Sequence, residues 1–200
     1  AGFVEGSRAR SNLSFNHPLV GLEIGVDRGQ LSESLLRVFP NLKLHMVDVW
    51  GEYPMTAPYR ATGDLRARRS QRKWDAVFVQ VQERLRFAEG RAIFHRTTSK
   101  SAARDAESLD IGDRSLDFVF VDGDHSYEGC LEDILNWLPK VKNNGVFGGH
   151  DWDIPKCGLV RDGVQQAVEQ VCKEHNREYE LGYGMTWCFK GLHHEPGRGV

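Results

Sequence analysis

Leu116-Asp117-Phe118-Val119-Phe120-Val121-Asp122-Gly123-Asp124-His125 is the stretch whose reading decides the fold. Phe118 to Val121 is a short apolar run of aromatic and β-branched residues, the composition of a buried strand. Asp122-Gly123-Asp124-His125 cannot extend such a strand cheaply. From Ser126 onwards Tyr127, Cys130, Leu131, Ile134, Leu135 and Leu138 recur at helical spacing. A buried parallel strand that opens into charged residues and then a helix is the site-bearing edge of an open α/β sheet. Asp122, Asp124 and Ser126 are also residues that form turns and cap helices. Two carboxylates and an imidazole within four residues of a strand end point further, to a functional site.

Upstream, Leu19 to Val26 reads as a first strand. It runs into Asp27-Arg28-Gly29-Gln30 and a helix whose apolar set is Leu31, Leu35, Leu36, Val38 and Phe39, stopped by Pro40 and Asn41. Leu42 to Val49 is a second strand with Asp48 near its end. In this β-α-β unit Gly25 and Gly29 let the backbone approach a ligand, and the helix N-terminus beyond them offers free N–H groups. Asp48 follows Gly29 by nineteen residues, the distance at which an acid meets ribose hydroxyls in nucleotide-binding units.

The glycine pattern separates cofactors. A pyrophosphate calls for G-x-G-x-x-G. Here Asp27 stands where the second glycine would be, and its carboxylate would repel phosphate. An acid-lined turn suits a cofactor with a positive centre and no phosphate, such as S-adenosylmethionine (SAM); an exposed turn residue is the plainer role for Asp27. A nicotinamide oxidoreductase also lacks support in the absence of a Tyr-x-x-x-Lys pair.

Residues 51–67, rich in Pro and Gly, read as a long loop and candidate lid carrying Tyr53 and Tyr59. A basic helix is expected over about Ser70–Ala88. Ala92 to His95 is a third strand, followed by Thr97 and Ser99, whose hydroxyls either touch the adenosine half of a cofactor or cap the next helix. The helix after the opening stretch should end near Pro139, with a turn at Asn143-Asn144-Gly145. Val146 to Gly149 is then a fifth strand ending in His150 and Asp151. A helix over about Val160–His175 and two closing strands near Glu178–Leu181 and Thr186–Lys190 complete the pattern. In a parallel sheet Asp122, His125, His150 and Asp151 converge on one edge.

The whole reads as one domain over residues 19–190, with a cover segment at 1–18 and a polar tail at 191–200. A formal charge of -2 argues against a general polyanion binder. Basic residues dominate 60–100 and acidic ones 105–133, most simply as solvated helix faces. Four widely spaced cysteines, Cys130, Cys157, Cys172 and Cys188, without C-x-x-C are ordinary thiols of a reducing compartment. No apolar run approaches the ~20 residues of a membrane span, and no signal peptide is visible. A cytoplasmic location is expected.

Together, Glu23-Ile24-Gly25-Val26-Asp27-Arg28-Gly29, Val47-Asp48-Val49-Trp50, the run Val121 to Gly129 and Gly148-Gly149-His150-Asp151-Trp152 make a sequence that resembles class I SAM-dependent methyltransferases. Within them it is most similar to the sugar O-methyltransferases of the macrocin and mycinamicin type. The resemblance covers about residues 19–190. It implies a Rossmann-like, mostly parallel seven-stranded sheet with helices on both faces and an antiparallel last strand. It implies that Glu23, Gly25 and Asp48 hold SAM, with Asp48 on the ribose, and that Asp122 and His125 supply a magnesium ligand and the catalytic base. Two adjacent acids after the fifth strand are the other ligands in that group. Here the pair is His150-Asp151, and an imidazole is a poorer ligand for magnesium than a carboxylate. Asp122 and Asp151 with more water, or a softer ion such as manganese, would meet that change, as would a reaction without metal.

The expected donor-binding set is therefore Glu23, Gly25, Asp27, Gly29, Asp48, Ser99 and Asp122. The expected metal set is Asp122, His150 and Asp151, and His125 is the expected base. The acceptor is a hydroxyl of a small molecule. Relatives imply self-association. A nucleic-acid methyltransferase using the basic 60–100 region, and a SAM-binding protein without turnover, are the alternatives.

Overall fold

The computed structural model describes residues 17–52, 65–152 and 163–192. The cover segment 1–16, the central part of the expected lid with Tyr53 and Tyr59, the residues around Cys157, and the tail beyond Leu192 lie outside the described residues.

Seven strands form one sheet in the order β3-β2-β1-β4-β5-β7-β6. They are β1 (Leu19–Ile24), β2 (Leu42–Asp48), β3 (Ala92–Arg96), β4 (Leu116–Val121), β5 (Val141–Gly149), β6 (Tyr179–Leu181) and β7 (Trp187–Phe189). The first five run parallel, while β7 is antiparallel to both its neighbours. The helices are α1 (Gln30–Val38), α2 (Gln71–Arg84), α3 (Ser99–Arg104), α4 (Tyr127–Trp137) and α5 (Gly163–Glu174). Burial on both faces is what gives β1, β2 and β4 their near-continuous apolar character. Two apolar clusters result. One gathers Leu36, Leu44, Met46, Trp50, Trp74 and Val81 with α1 and α2. The other gathers Ile24, Val119, Ile134, Trp137, Phe147 and Val168 with α3, α4 and α5. The expected sheet, with helices on both faces, is thus observed.

Three departures have physical causes. The Asn143-Asn144-Gly145 turn exists, but inside β5. Leu116 pairs with Val141 and Phe118 with Val146, so the intervening residues loop out as a bulge, with Asn144 at φ 65°. Val141 is fully buried, which draws the strand start back to it. Asn144 N–H in the bulge donates to Leu192 O at 2.8 Å. Leu192 is 1% exposed, so the packed unit extends past Lys190 into the stretch read as a polar tail. The basic helix is also shorter than expected: it gives way after Arg84 to a 3₁₀ turn at Arg86–Ala88, which lets both Leu85 and Ala88 face the core.

Packing between β1 and β4 depends on Gly21. A Cβ there would stand 2.2 Å from the ring of Phe118, its register partner. Gly21→Ala is expected to destabilise by about 1–3 kcal/mol, the usual cost of overpacking. Chemical denaturation of the two proteins checks this, and equal midpoints would contradict it.

Candidate active site

The cleft is built where β1 hands over to α1. Gly25 has φ 83°, and a Cβ on it would lie 2.0 Å from Asp122 O, so only glycine lets the β1 and β4 exits touch. Gly25 N–H donates to Val47 O at 2.9 Å, and Asp122 N–H donates to Ile24 O at 2.8 Å. Gly29, at φ 69°, precedes α1 without a side-chain cap, leaving the first N–H groups of that helix available.

Asp48 braces this turn. One carboxylate oxygen accepts from Val26 N–H and Asp27 N–H, both at 2.9 Å, and the other accepts from Trp50 N–H at 2.7 Å. Burial pushes its carboxyl up and these three donors pull it back. The ribose role implied by the family likeness would have to be shared with this bracing one. Asp27 lines the cleft, but its carboxylate is engaged by Arg66 at 2.8 Å and by Arg69. The acidity read for the turn is thereby offset, by partners some forty residues away that local pattern does not announce. Arg84 with Glu33 and Arg96 with Asp75 likewise pair basic residues of the 60–100 segment within the chain.

Glu23 is 2% exposed. The Ser32 hydroxyl donates to it, yet burial, with the nearby Asp122 and Asp48 carboxylates adding, pushes its carboxyl up to about 8. A buried acid without a cation is costly unless neutral. Glu23 therefore offers a seat for a positively charged ligand group.

The strand ends beyond bring the expected cluster together. His125 Nε2 lies 3.5 Å from Asp122 and 3.0 Å from Asp151. His150 Nδ1 lies 3.9 Å from Asp122 and 3.4 Å from Asp151. Burial works to lower the His125 imidazole, but the two carboxylates outweigh it and raise the group to about 10. Burial works to raise Asp151, and there the imidazoles prevail, holding it well below the usual carboxylate range. Burial raises Asp122. Capping, the plainer role, falls to the neighbours: Asp124 accepts from Ser126 N–H at 2.9 Å, and Ser126 Oγ accepts from Gly129 N–H at 3.1 Å to start α4. Asp122 is thereby left to the cluster. Asp122, His125 and Asp151 present ligand atoms within 4.8 Å of one another. That trio includes His125 where the sequence had suggested His150. Two carboxylates with one imidazole suit a divalent ion such as magnesium or manganese.

A cavity of about 370 Å³ is lined by Glu23 and the glycine turn, by Arg28 and Arg66, by Asp122 and His125, and by Thr97, Ser99 and Asp133. Thr98 caps α3, accepting from Ser101 N–H at 3.1 Å, so the capping role belongs to it and not to Thr97 or Ser99. Ser99 Oγ accepts from Trp137 Nε1 at 2.8 Å. Asp133 escaped the sequence reading. It is 5% exposed on the same helical face as Cys130, Ile134 and Trp137, and an acid at an apolar position of that periodicity was the available signal. Burial pushes its carboxyl up to about 7, against a hydrogen bond from Ser99.

Comparison with known proteins agrees with this architecture. A family model described as a methyltransferase domain matches residues 22–152. The O-methyltransferase NovP superposes with TM-score 0.62 at 16% identity, over 89% of this chain and 74% of that one. The calicheamicin methyltransferase CalS11 does so with TM-score 0.61 at 15% identity, over 88% and 73%. The mycinamycin-pathway methyltransferase MycE, solved with Mg and SAH, gives TM-score 0.55 at 14% identity, over 92% and 48%. At these identities the likeness is one of fold. Among curated sequences, the uncharacterized protein y4gI of Sinorhizobium fredii is 33% identical over 86 residues, which is 42% of this chain. The chain spans 9% of the length of that relative. No helix among the described residues is long and apolar enough to cross a membrane.

Proposed function

The chain belongs to the methyltransferase-domain family that its residues 22–152 match, and on that basis we propose that it moves the methyl group of SAM to a hydroxyl of a small molecule, a sugar or glycosylated natural product. The observation that carries this reading is the meeting of Asp122, His125 and Asp151 beside a cleft that starts at a glycine turn. SAM supplies a methyl already activated on sulfur, and a divalent ion held by Asp122 and Asp151 would acidify the acceptor hydroxyl.

The protein's own residues do the rest. Glu23 meets the positive charge of the donor. The N–H groups at the start of α1 and the Gly25 turn bring backbone against it. His125 takes the hydroxyl proton. In the ligand-free cluster His125 keeps a proton between two carboxylates. Engaging those carboxylates elsewhere lowers its proton affinity toward the neutral range where imidazole serves as a base. Trp152, directly after Asp151, is 8% exposed and packs its ring against Tyr179 at 4.7 Å, anchoring the strand exit that carries Asp151.

Calorimetry with SAH and with NAD is the first experiment. Binding of SAH in the micromolar range with none of NAD is expected, and the reverse outcome rejects the donor assignment. A magnesium or manganese titration of chelator-treated protein should restore transfer at a ratio of one ion per chain; full activity in excess chelator would remove the metal from the scheme.

A further inference from the structure

Resting on the reading of the Asp122, His125 and Asp151 cluster above, we propose that Trp187 is its positioning residue: through its indole N–H, with the Met185 carbonyl beside it, the hairpin of β6 and β7 holds Asp151 in the backbone conformation that brings its carboxylate to His125.

Successive residues of a strand point to opposite faces of the sheet. At the exit of β5 they do not. His150 Nδ1 lies 3.4 Å from Asp151 Oδ2, and His125 Nε2 is 3.0 Å from the same oxygen. The reversal sits at Asp151 itself, whose φ is 61°. A residue other than glycine keeps a left-handed conformation where its surroundings impose it. The torsions of Asp151 lie between the two peptide groups that flank it, and each is held from the hairpin. The His150 carbonyl, in the peptide before Asp151, accepts from Trp187 Nε1 at 3.2 Å. The Trp152 N–H, in the peptide after it, donates to Met185 O at 3.0 Å.

Both partners are themselves fixed. Trp187 is 2% exposed, its ring 6.2 Å from that of Phe147 and 5.4 Å from that of Phe189. It pairs with Gly149 across the sheet, and a Cβ on Gly149 would stand 2.9 Å from the indole. The bare glycine thus lets the indole lie against the strand and reach the next carbonyl. Met185 belongs to a turn closed by its own bonds: Gly182 N–H donates to Thr186 O at 2.9 Å, and Thr186 Oγ1 donates to Tyr183 O at 2.9 Å. The indole N–H can only donate. Phenylalanine in its place keeps an aromatic ring in the core and leaves His150 O without that donor. Support of this kind behind a ligating carboxylate is worth about 10–100-fold in metal affinity.

The test is Trp187→Phe in the full chain, read by crystallography and by calorimetry with manganese(II) and, separately, with SAH. In crystals of the ligand-free variant Asp151 should leave the left-handed region, with its carboxylate beyond hydrogen-bond reach of His125. Manganese affinity should fall about tenfold or more. SAH affinity should stay within about twofold, since Glu23 and the glycine turn are untouched. Loss of both affinities together would mark general damage and overturn the positioning role, as would a folded variant that keeps the Asp151 backbone and its contact with His125. Should the variant fail to fold by circular dichroism, replacing Trp187 by benzothienylalanine, which exchanges only the N–H for sulfur, gives the same readings. If wild type binds no manganese, the metal reading falls, and the Asp151 backbone in the variant crystals still decides the role of Trp187. If wild type binds no SAH, the donor reading falls, again apart from this one.

Discussion

His125→Asn is expected to lower methyl transfer by about 10²–10⁴-fold, the usual contribution of a positioned acid–base group, while SAH affinity stays within about twofold of wild type. The basis is position. His125 sits in the turn after β4, where the donor cleft meets the carboxylate cluster, and its Nε2 is 3.0 Å from Asp151 and 3.5 Å from Asp122. The variant also separates two roles the geometry allows to one imidazole. If His125 is the base, the variant keeps the wild-type affinity for magnesium or manganese, because Asp122 and Asp151 are intact. If it is a ligand, metal affinity falls along with rate. Stability should respond with a defined sign. An imidazole raised to about 10 stabilises the folded state fully below its ordinary value of 6.5 and ceases to do so as pH rises through 10. The variant should therefore melt lower than wild type at neutral pH, with the gap closing in strong alkali. Wild-type turnover in the folded variant would remove His125 from the chemistry altogether.

The parts of this site that sequence alone makes legible are those encoded by neighbours along the chain. The Phe118–Val121 run ending in Asp122 and His125, and the strand ending in His150-Asp151, each announce a polar strand exit; parallel pairing then forces the two exits together, as found between β4 and β5. Gly25 is legible for the same reason, since a glycine at a strand-to-helix turn is a request for positive φ. Roles fixed by distant partners are not legible. Asp27 looks like an acid for the cofactor until Arg66 and Arg69 are seen on it. Asp48 looks like a ribose ligand alone, and its second task, accepting from the Val26, Asp27 and Trp50 N–H groups, does not show in the sequence. The start of β5 is hidden because Asn143-Asn144-Gly145 carries true turn chemistry, which a bulge uses as readily as a chain reversal. Leu192 is hidden because one apolar residue among polar ones has no period to reveal it.

Glu23→Gln should move stability and donor affinity in opposite directions, which is the mark of a group kept for a ligand and not for the fold. Glu23 is 2% exposed, with a carboxyl pushed up to about 8 chiefly by burial. An acid whose folded value lies above its unfolded one favours folding fully below about pH 4.5, and that contribution is lost as pH rises through 8. Each tenfold change in proton affinity is worth about 1.36 kcal/mol, so the burden on the ligand-free protein is on the order of 3 kcal/mol at pH 7. The amide carries no such burden and still offers Ser32 an acceptor in place of the one Glu23 provides. The ligand-free variant should thus match wild type in stability at pH 4 and exceed it increasingly up to pH 8. Donor binding goes the other way. The positive centre of SAM draws the carboxyl into its ionised form, an interaction the amide cannot supply, so SAM affinity should fall by about 10–100-fold, the scale of a buried charge-assisted contact. Thermal melts across pH 4–8, with and without SAM, read both effects in one set of samples. A melting difference that does not change with pH would show that Glu23 is ionised in the empty protein. Unchanged SAM affinity would show that the positive centre lies elsewhere in the cleft, and would leave a buried acid at the mouth of the glycine turn with no ligand to account for it.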